Sequence, residues 1–253
     1  NSEDIYNPFS LLGALKSRAL ENKWFATGTP TYLTSMLKRR SYDLSKFSTG
    51  IDATAETIAS FGNGEENMIA ALYQSGYLTI KGYDGRKYYS LGFPNEEVED
   101  GFVQCLMNEY SKQNTIDGDY NLRVLRDALE ADDIQAFMTQ IQLIMGQIPF
   151  ENSEVKQIEA NFRNMIYLMI RFSGFKVAVE LPVLGGRIDV FFETDNRVYV
   201  IECKRDQSAD DALAQIDMKK YAKKISSADK PVVKIGANFS TEERNIVEWK
   251  VEE

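Results

Sequence analysis

Residues 186–204, GRIDVFFETDNRVYVIECK, decide the predicted fold, because their pattern indicates two β-strands joined by a tight turn. Asp195 and Asn196 suit a two-residue hairpin loop, since both residue types tolerate the positive φ angles that such loops require. If these two residues form the loop, Thr194 pairs with Arg197, and the register of the strand pair follows from the turn. We therefore expect an antiparallel hairpin of fixed register.

Two carboxylates face each other in that register. Asp189 on the first strand falls opposite Glu202 on the second, with Cβ atoms about 4.5–5.5 Å apart. Because two such carboxylates repel unless a proton or a cation lies between them, the pair predicts a cation site. Lys204 shares the face of Glu202, about 6.5–7 Å along the strand. Oxygen ligands beside an ammonium group are what a Mg²⁺-dependent phosphodiesterase requires.

A plain structural interpretation competes with this one, because acidic residues on strands often face solvent and Glu-x-Lys also occurs on ordinary surfaces. Two features favour the cation site. The run Val198–Ile201 predicts a buried central strand, where charged residues are rarely left unpaired. Gly185 and Gly186, before the first strand, allow a backbone or a phosphate group to come close.

The segments on either side of the hairpin predict an α/β sandwich with a three-stranded meander at its centre. Apolar residues at helical spacing predict an amphipathic helix over 154–172, directly before the meander. The other expected elements are strands at 175–183, 187–194, 197–204, 232–237 and 246–251 and a helix at 208–224.

The N-terminal part is predicted to be mostly helical, with a winged-helix-like unit in which a short helix precedes a hairpin. The expected strands are 77–80 and 87–91, joined by a turn around Asp84 and Gly85. The acidic helix that follows, at 96–100, favours a packing role for this hairpin over contact with DNA. The hairpin carries the basic residues Lys81, Arg86 and Lys87.

Composition excludes several kinds of chemistry. The chain has no histidine, which excludes Ser-His and Cys-His nucleophile pairs and zinc sites with a histidine ligand. With only Cys105 and Cys203, four-thiolate metal sites and a disulfide scaffold are excluded, and a reducing compartment is indicated. The net charge of -9 excludes a uniformly basic surface but not a local basic cleft. No targeting segment or long apolar run is visible, so we expect a cytoplasmic protein without membrane contact.

Three short segments carry a recognisable pattern: GRID at 186–189, YVIECK at 199–204, and ALAQI with YA at 212–216 and 221–222. They resemble the PD-(D/E)XK nuclease superfamily, in particular the nuclease-like C-terminal domain of bacterial AAA-ATPase-like proteins. The resemblance implies a restriction-endonuclease-like αβββαβ domain at 151–253 and a chain of the α+β / α/β class. Asp189 would be the motif aspartate, and Glu202 and Lys204 the (D/E)XK pair. Ile188 stands where many members have proline, a departure that the superfamily tolerates.

The same resemblance implies a Mg²⁺ or Mn²⁺ site. Asp189 and Glu202 would bind the metal, together with the Cys203 carbonyl and waters. Lys204 would position the attacking water or offset charge on the phosphate. Further candidates are Glu159 and Glu180 as additional metal-binding carboxylates, Gln215 as a catalytic-site amide, and Tyr221 as its partner in a polar pair. For Glu159 and Tyr221, a solvated helix position and a core position, respectively, remain equal alternatives.

Four N-terminal segments resemble the end of the ATPase-like region in those proteins: NPFS at 7–10, WFATGTP at 24–30, GYLTI at 76–80 and LGFPN at 91–95. No Gly-x-x-x-x-Gly-Lys-Ser/Thr loop occurs, so no ATP site is expected in this chain. Because it begins at Asn1 without methionine, we expect the chain to be a piece of a longer protein. If it is, the resemblance implies that the nucleotide-binding part of the ATPase-like region precedes Asn1. With the polar stretch 111–119 as a linker, the expected parts are a helical, winged-helix-like end of that region at 1–115, a helical connector at 116–150 and the nuclease-like domain at 151–253.

Two hypotheses for the function follow. The first is a metal-dependent nuclease that hydrolyses phosphodiester bonds, with DNA preferred over RNA as the partner. The alternative is a catalytically silent nuclease-like module that binds nucleic acid or regulates an attached ATPase-like region. The sequence does not indicate the oligomeric state.

Overall fold

A computed structural model describes residues 8–18, 31–40, 42–60, 68–111, 115–147, 155–183, 186–218 and 230–253. The chain divides into two compact units, Asn1–Arg39 with Gly50–Glu109 and Arg40–Thr49 with Tyr110–Glu253. The elements up to residue 111 are α1 (Pro8–Ser17), α2 (Thr31–Arg39), α3 (Lys46–Thr49), β1 (Ile51–Thr54), α4 (Ala55–Ala59), α5 (Met68–Gln74), β2 (Thr79–Tyr83), β3 (Tyr88–Gly92) and α6 (Glu96–Ser111). From residue 115 they are α7 (Thr115–Glu130), α8 (Ile134–Gly146), α9 (Val155–Phe172), β4 (Val177–Val183), β5 (Gly186–Glu193), β6 (Val198–Arg205), α10 (Ala209–Met218), β7 (Val232–Ser240) and β8 (Asn245–Glu252).

The first unit contains a three-stranded antiparallel sheet in the order β1-β3-β2. The hairpin expected at 77–91 is present as β2 and β3, paired with Ile80 opposite Leu91. Sequence analysis missed β1, because its four residues are too few to show a strand period. The core of this unit consists of fully buried side chains from helices and sheet, among them Leu37, Leu72, Leu91 and Phe102.

The linker expected at 111–119 falls partly outside the described residues, which omit 112–114. Helix α6 extends to Ser111, and α7 begins at Thr115. Helix therefore occupies both ends of this polar stretch, because polar residues are compatible with a helix as well as with a loop. The boundaries at 115 and 150 between the expected parts stay a prediction.

The second unit contains a five-stranded sheet in the order β4-β5-β6-β7-β8. Strands β4, β5 and β6 form the antiparallel meander, β6 pairs with β7 in parallel, and β8 is antiparallel to β7. The parallel pair requires a crossover, and α10 lies on that connection. The expected helices and strands of this region are present within the described residues. The run Val198–Ile201 is fully buried in the central strand, as predicted.

Helices cover both faces of this sheet. On one face Leu213 and Ile216 of α10 pack with Ile188 and Val200 of the strands. On the other face α8 and α9 contact the sheet through aromatic pairs, Phe137 with Phe192 at 5.8 Å and Phe162 with Phe239 at 4.5 Å between ring centroids. No helix in the described part of the chain has the length and apolar character needed to cross a bilayer.

Gly236 on β7 lets α10 lie unusually close to the sheet. A Cβ atom at this position would be 2.8 Å from Cγ and 2.9 Å from the backbone nitrogen of Leu213, and closer still to the Ala209 carbonyl oxygen. Two of these three atoms belong to the helix backbone and cannot move aside on their own. Gly236 pairs with Glu202 in the parallel ladder, so this close approach occurs beside a predicted site residue.

A buried amide ties the segment before α3 to α9. Asn164, 3% exposed, accepts a hydrogen bond from the Leu44 backbone N–H at 3.1 Å. Its amide nitrogen donates to the Tyr42 carbonyl at 2.7 Å and to the Tyr110 hydroxyl at 3.0 Å. One side chain thus satisfies three polar groups away from water, which makes it important for stability.

We expect Asn164→Ala to lower the free energy of unfolding by about 2–4 kcal/mol, because it removes three hydrogen bonds and leaves buried partners without them. Urea denaturation followed by circular dichroism measures the change. Asn108→Ala, at an exposed position of α6, is the matched control and should stay within about 0.5 kcal/mol of the wild type. Equal midpoints for the two variants would show that the buried amide contributes no stability.

Candidate active site

The strand register agrees with the one predicted from the turn. The Thr194 backbone N–H donates to the Arg197 carbonyl at 2.9 Å, closing the two-residue loop. Strands β5 and β6 then pair from Glu193 opposite Val198 to Val190 opposite Ile201. Asp189 and Glu202 occupy the next position in register, directly beyond the last of these pairs.

Where the β5–β6 ladder stops, the side chain of Asp189 accepts a hydrogen bond from the backbone of β6. Its Oδ2 atom accepts from the Cys203 backbone N–H at 2.8 Å. The side chain therefore reaches across to β6 instead of standing perpendicular to the sheet. This contact fixes one carboxylate against the strand that carries Glu202 and Lys204.

Glu202 is held from the side of α10. The carboxylate is 2% exposed, and its Oε2 atom is completely buried. Its Oε1 atom accepts a hydrogen bond from the Gln215 amide nitrogen, while the Gln215 amide oxygen accepts from Lys204 Nζ. Only this amide orientation serves both neighbours, since lysine can only donate and an ionised carboxylate can only accept. Gln215 thus connects Lys204 to Glu202.

A cavity of 340 Å³ lies on the α9 side of the sheet at the end of β6, and Asp189 and Lys204 both line it. Its charged lining has three cations and two acids. Apolar side chains from α9 and β7, including Phe162 and Phe239, close its other walls. The charged lining residues are Arg163, Lys204, Arg205, Glu180 and Asp189.

Asp189 and Glu202 approach the end of β6 from different sides, which corrects the expectation that these two carboxylates share one face. Asp189 lines the cavity on the α9 side, whereas Glu202 contacts Gln215 on the α10 side. Lys204 belongs to both, because it lines the cavity and donates to Gln215.

The reason is a change of facing within β5. Ile188 packs in the α10 cluster, whereas Val190, two residues further, lines the α9 cavity. In a regular strand these two side chains would share a face. The strand therefore rotates about its own axis at Asp189, and strict alternation does not hold there.

Glu180, opposite this point on β4, has an unusual backbone. Its φ angle is 50°, in the left-handed region that non-glycine residues seldom adopt. The residues before and after it are paired with β5. Its two oxygens bind two guanidinium groups, Oε1 that of Arg163 and Oε2 that of Arg187, the latter at 3.3 Å. These contacts favour a role in holding arginines over the predicted role in metal binding.

Burial and both carboxylates affect the pKa of the Cys203 thiol. Burial raises the pKa of its thiol well above the ordinary value, and the negative charges of Asp189 and Glu202 raise it further. The thiol is therefore neutral at physiological pH and does not act as a nucleophile.

Some predicted site residues cannot be placed with the others. Glu159 lies on α9, but its side chain is outside the described residues, as is all of Tyr221. Within the described ranges, no group of three or more cysteine, aspartate or glutamate side chains is arranged to hold a metal ion. The acidic side chains that remain are Asp189 and Glu202, which are oxygen donors. They suit Mg²⁺, which keeps several waters and needs only one or two protein carboxylates.

Sequence reasoning missed Arg163 as a site residue. It is four residues after Glu159 on α9, and positions four apart lie on one helix face. The helical period therefore contained a signal for Arg163 once Glu159 had been chosen. Arg205, directly after Lys204, also lines the cavity, although strand alternation predicts that these two side chains face opposite ways.

Two comparisons with known proteins found similarities to this chain. Residues 157–249 match the family model of the PD-(D/E)XK nuclease superfamily, which confirms the resemblance of the C-terminal segments. The chain is also similar to an uncharacterised protein in the vnfD 5' region of Azotobacter chroococcum mcd 1, with 29% identity over 267 residues that cover 99% of this chain and 50% of that protein. The chain thus spans about half the length of this curated relative. No solved structure matches the chain.

Proposed function

We propose that the region 151–253 is a metal-dependent nuclease that hydrolyses phosphodiester bonds, with DNA preferred over RNA. The observation that carries the proposal is the contact network at the end of β6. Asp189 is fixed against the Cys203 backbone, and Lys204 is connected to the buried Glu202 through Gln215. The match of residues 157–249 to a nuclease superfamily supports the same assignment.

Mg²⁺ or Mn²⁺ is the cofactor that this set of residues would hold. Asp189, Glu202 and the Cys203 carbonyl are the proposed ligands. When bound, the metal supplies a Lewis acid for the phosphate and lowers the pKa of a coordinated water. Glu159 stays a predicted further ligand.

The chain's own residues have separable roles in this proposal. Lys204, at the border of the cavity and the Gln215 network, orients the attacking water or offsets negative charge that develops on the phosphate. Gln215 restricts the ammonium group to one position. Arg163 and Arg187, joined through Glu180, provide guanidinium donors for the phosphates next to the scissile one.

The remaining assignments are proposed on the resemblance alone. Residues 1–115 would be the winged-helix-like end of an ATPase-like region, 116–150 a connector, and an upstream ATPase-like segment the partner of this chain. A cytoplasmic location is consistent with the use of only two cysteines, both free thiols.

Cleavage of supercoiled plasmid tests the proposal. We expect nicked or linear product with Mg²⁺ or Mn²⁺ and none with EDTA. Single-stranded DNA and RNA of the same sequence, compared in parallel, measure the substrate preference. Isothermal titration of Mn²⁺ into the wild type and into Asp189→Ala separates metal binding from turnover, since only the wild type should show the binding heat.

A catalytically silent binding module is the second candidate, and the facing of the acids favours it. Asp189 and Glu202 approach β6 from different sides, and Lys204 already has a hydrogen-bond partner in Gln215. A protein that binds labelled DNA but leaves plasmid intact with every divalent metal would support this candidate and exclude the nuclease.

The bridging amide gives a quantitative prediction for the nuclease. We expect Gln215→Ala to lower kcat by about 10–100-fold with little change in KM, because the substitution frees Lys204 and Glu202 from each other without removing either. Single-turnover cleavage at saturating protein measures this. Gln207→Ala, at an exposed position before α10, is the matched control and should cut like the wild type. A change in KM alone would assign Gln215 to substrate binding.

A further inference from the structure

The β2–β3 hairpin of the first unit presents a continuous exposed surface. Every residue from Tyr83 to Tyr88 is exposed, and so is Lys81 before it. Strands β2 and β3 pair with Tyr83 opposite Tyr89, and a β-bulge interrupts the pairing between Ile80 and Gly82. We call Lys81, Tyr83, Arg86, Lys87, Tyr88 and Tyr89 the hairpin surface.

The tip of this hairpin is ordered by one carboxylate. Asp84 Oδ1 accepts hydrogen bonds from the backbone N–H groups of Arg86 at 2.8 Å, Lys87 at 2.8 Å and Tyr88 at 3.0 Å. These bonds lower the pKa of Asp84, so it is ionised at neutral pH. The loop is therefore held in one conformation before any partner arrives, which reduces the entropy lost on binding.

The charge of the hairpin surface is opposite to that of the chain. Residues 79–92 contain three basic residues and one acid, in a protein whose net charge is -9. The single acid, Asp84, is turned toward the loop backbone, while Arg86 and Lys87 at the tip are exposed. Such a local basic surface on an acidic protein complements a polyanion.

Aromatic rings are placed between these charges. Tyr83 and Tyr89 form a cross-strand pair with ring centroids 4.7 Å apart, and Tyr83 is 53% exposed. Tyr88 is 47% exposed, and Lys87 Nζ lies 5.7 Å from its ring centroid. Exposed aromatic rings beside arginine and lysine provide both parts of single-strand recognition, namely base stacking and phosphate contact.

We propose that the hairpin surface binds single-stranded nucleic acid. Arg86 and Lys87 contact phosphates, and a base stacks on the pair formed by Tyr83 and Tyr89. This proposal is the alternative to the packing role that the sequence favours for the hairpin. The inference stands apart from the proposed nuclease, because it concerns the first unit and requires no metal.

Fluorescence anisotropy of a labelled oligothymidylate, measured in EDTA with the full chain, tests this inference. We expect Arg86→Ala/Lys87→Ala to weaken binding about tenfold and to reduce the slope of log K against log salt by about 2. Tyr83→Ala should weaken binding about tenfold with an unchanged salt slope, because it removes stacking and no charge. Tyr83→Phe should bind like the wild type.

A second pair of arginines provides the control for net charge. Arg123→Ala/Arg126→Ala removes two exposed cations from α7, which pair there with Asp127 and Glu130. This variant should bind like the wild type, and circular dichroism should show native secondary structure for all variants. Equal losses in the two double variants would mean that only total charge matters, and the inference would be wrong. Unchanged binding in both the charge and the tyrosine variants would show that the hairpin surface does not bind nucleic acid, and a role in packing against another protein segment would then be favoured.

The active-site variant distinguishes this inference from the proposed function. Asp189→Ala should bind the oligothymidylate as tightly as the wild type, because Asp189 is not part of the hairpin surface. Binding without cleavage would overturn the nuclease and leave the hairpin surface supported. Cleavage that is insensitive to hairpin substitutions, with no binding in EDTA, would support the nuclease and overturn the inference about the hairpin surface.

Discussion

Asp189→Asn is expected to fold like the wild type and to cut plasmid at least about a thousandfold more slowly, since loss of the proposed metal ligand would remove several kcal/mol of transition-state stabilisation. Asparagine keeps an oxygen that can accept the hydrogen bond from the Cys203 backbone N–H, now made to Asp189 at 2.8 Å. The substitution therefore removes the negative charge and preserves the contact. Initial rates of plasmid nicking with Mg²⁺ or Mn²⁺ measure the effect.

The control for this prediction is Asp195→Asn, the same substitution at the exposed turn of the same strand pair. It should leave both cleavage and unfolding unchanged. Lys204→Ala provides an independent check, with an expected loss of about 10²–10³-fold for removal of a charge-stabilising donor. If Asp189→Asn and Lys204→Ala both cut as fast as Asp195→Asn, the proposed site is wrong even if the protein is a nuclease.

Gly236→Ala is expected to lower the free energy of unfolding by about 3 kcal/mol or more, because the new methyl group overlaps helix backbone. The Ala209 carbonyl oxygen and the Leu213 nitrogen both lie inside its contact distance. To make room, α10 must move away from β7 as a unit. Because α10 carries Gln215, we also expect the bridge from Lys204 to Glu202 to weaken.

Urea denaturation of Gly236→Ala and Gly82→Ala compares two strand glycines. At Gly82 an added Cβ would meet only Ser90 Cβ, at 4.0 Å, so this variant should be as stable as the wild type or slightly more stable. Similar unfolding curves for the two variants would refute the steric argument. A Gly236→Ala protein of normal stability but reduced cleavage would instead show that α10 moves at little cost.

The sequence predicted the register of the β5–β6 hairpin because a short loop leaves few ways to pair two strands. It also predicted the buried run Val198–Ile201, since a continuous apolar stretch between turns fits a central strand. Gln215 was found only through family resemblance. Its position between Lys204 and Glu202 depends on the helix-to-sheet distance at Gly236, which no local pattern encodes.

The facing of Asp189 could not be predicted from alternation. The rule assumes a regular strand, whereas β5 is irregular opposite Glu180, which has a left-handed backbone. Glutamate at a left-handed position gives no sequence signal, because glycine or asparagine is the residue expected there. The ion pairs of Glu180 with Arg163 and Arg187 were missed as well. The helical period could have pointed to Arg163, but no local pattern specifies a long-range partner.

At Glu180, stability of the backbone and retention of the arginine ion pairs favour different residues. A left-handed residue other than glycine costs conformational energy that a smaller side chain would not. Glu180→Gly would relax the main chain, yet it would also release the guanidinium groups of Arg163 and Arg187. Selection for thermal stability alone would thus favour glycine at this position, whereas selection for the proposed phosphate contacts of the two arginines would retain glutamate. A variant selected only for thermal stability is therefore expected to lose those contacts here.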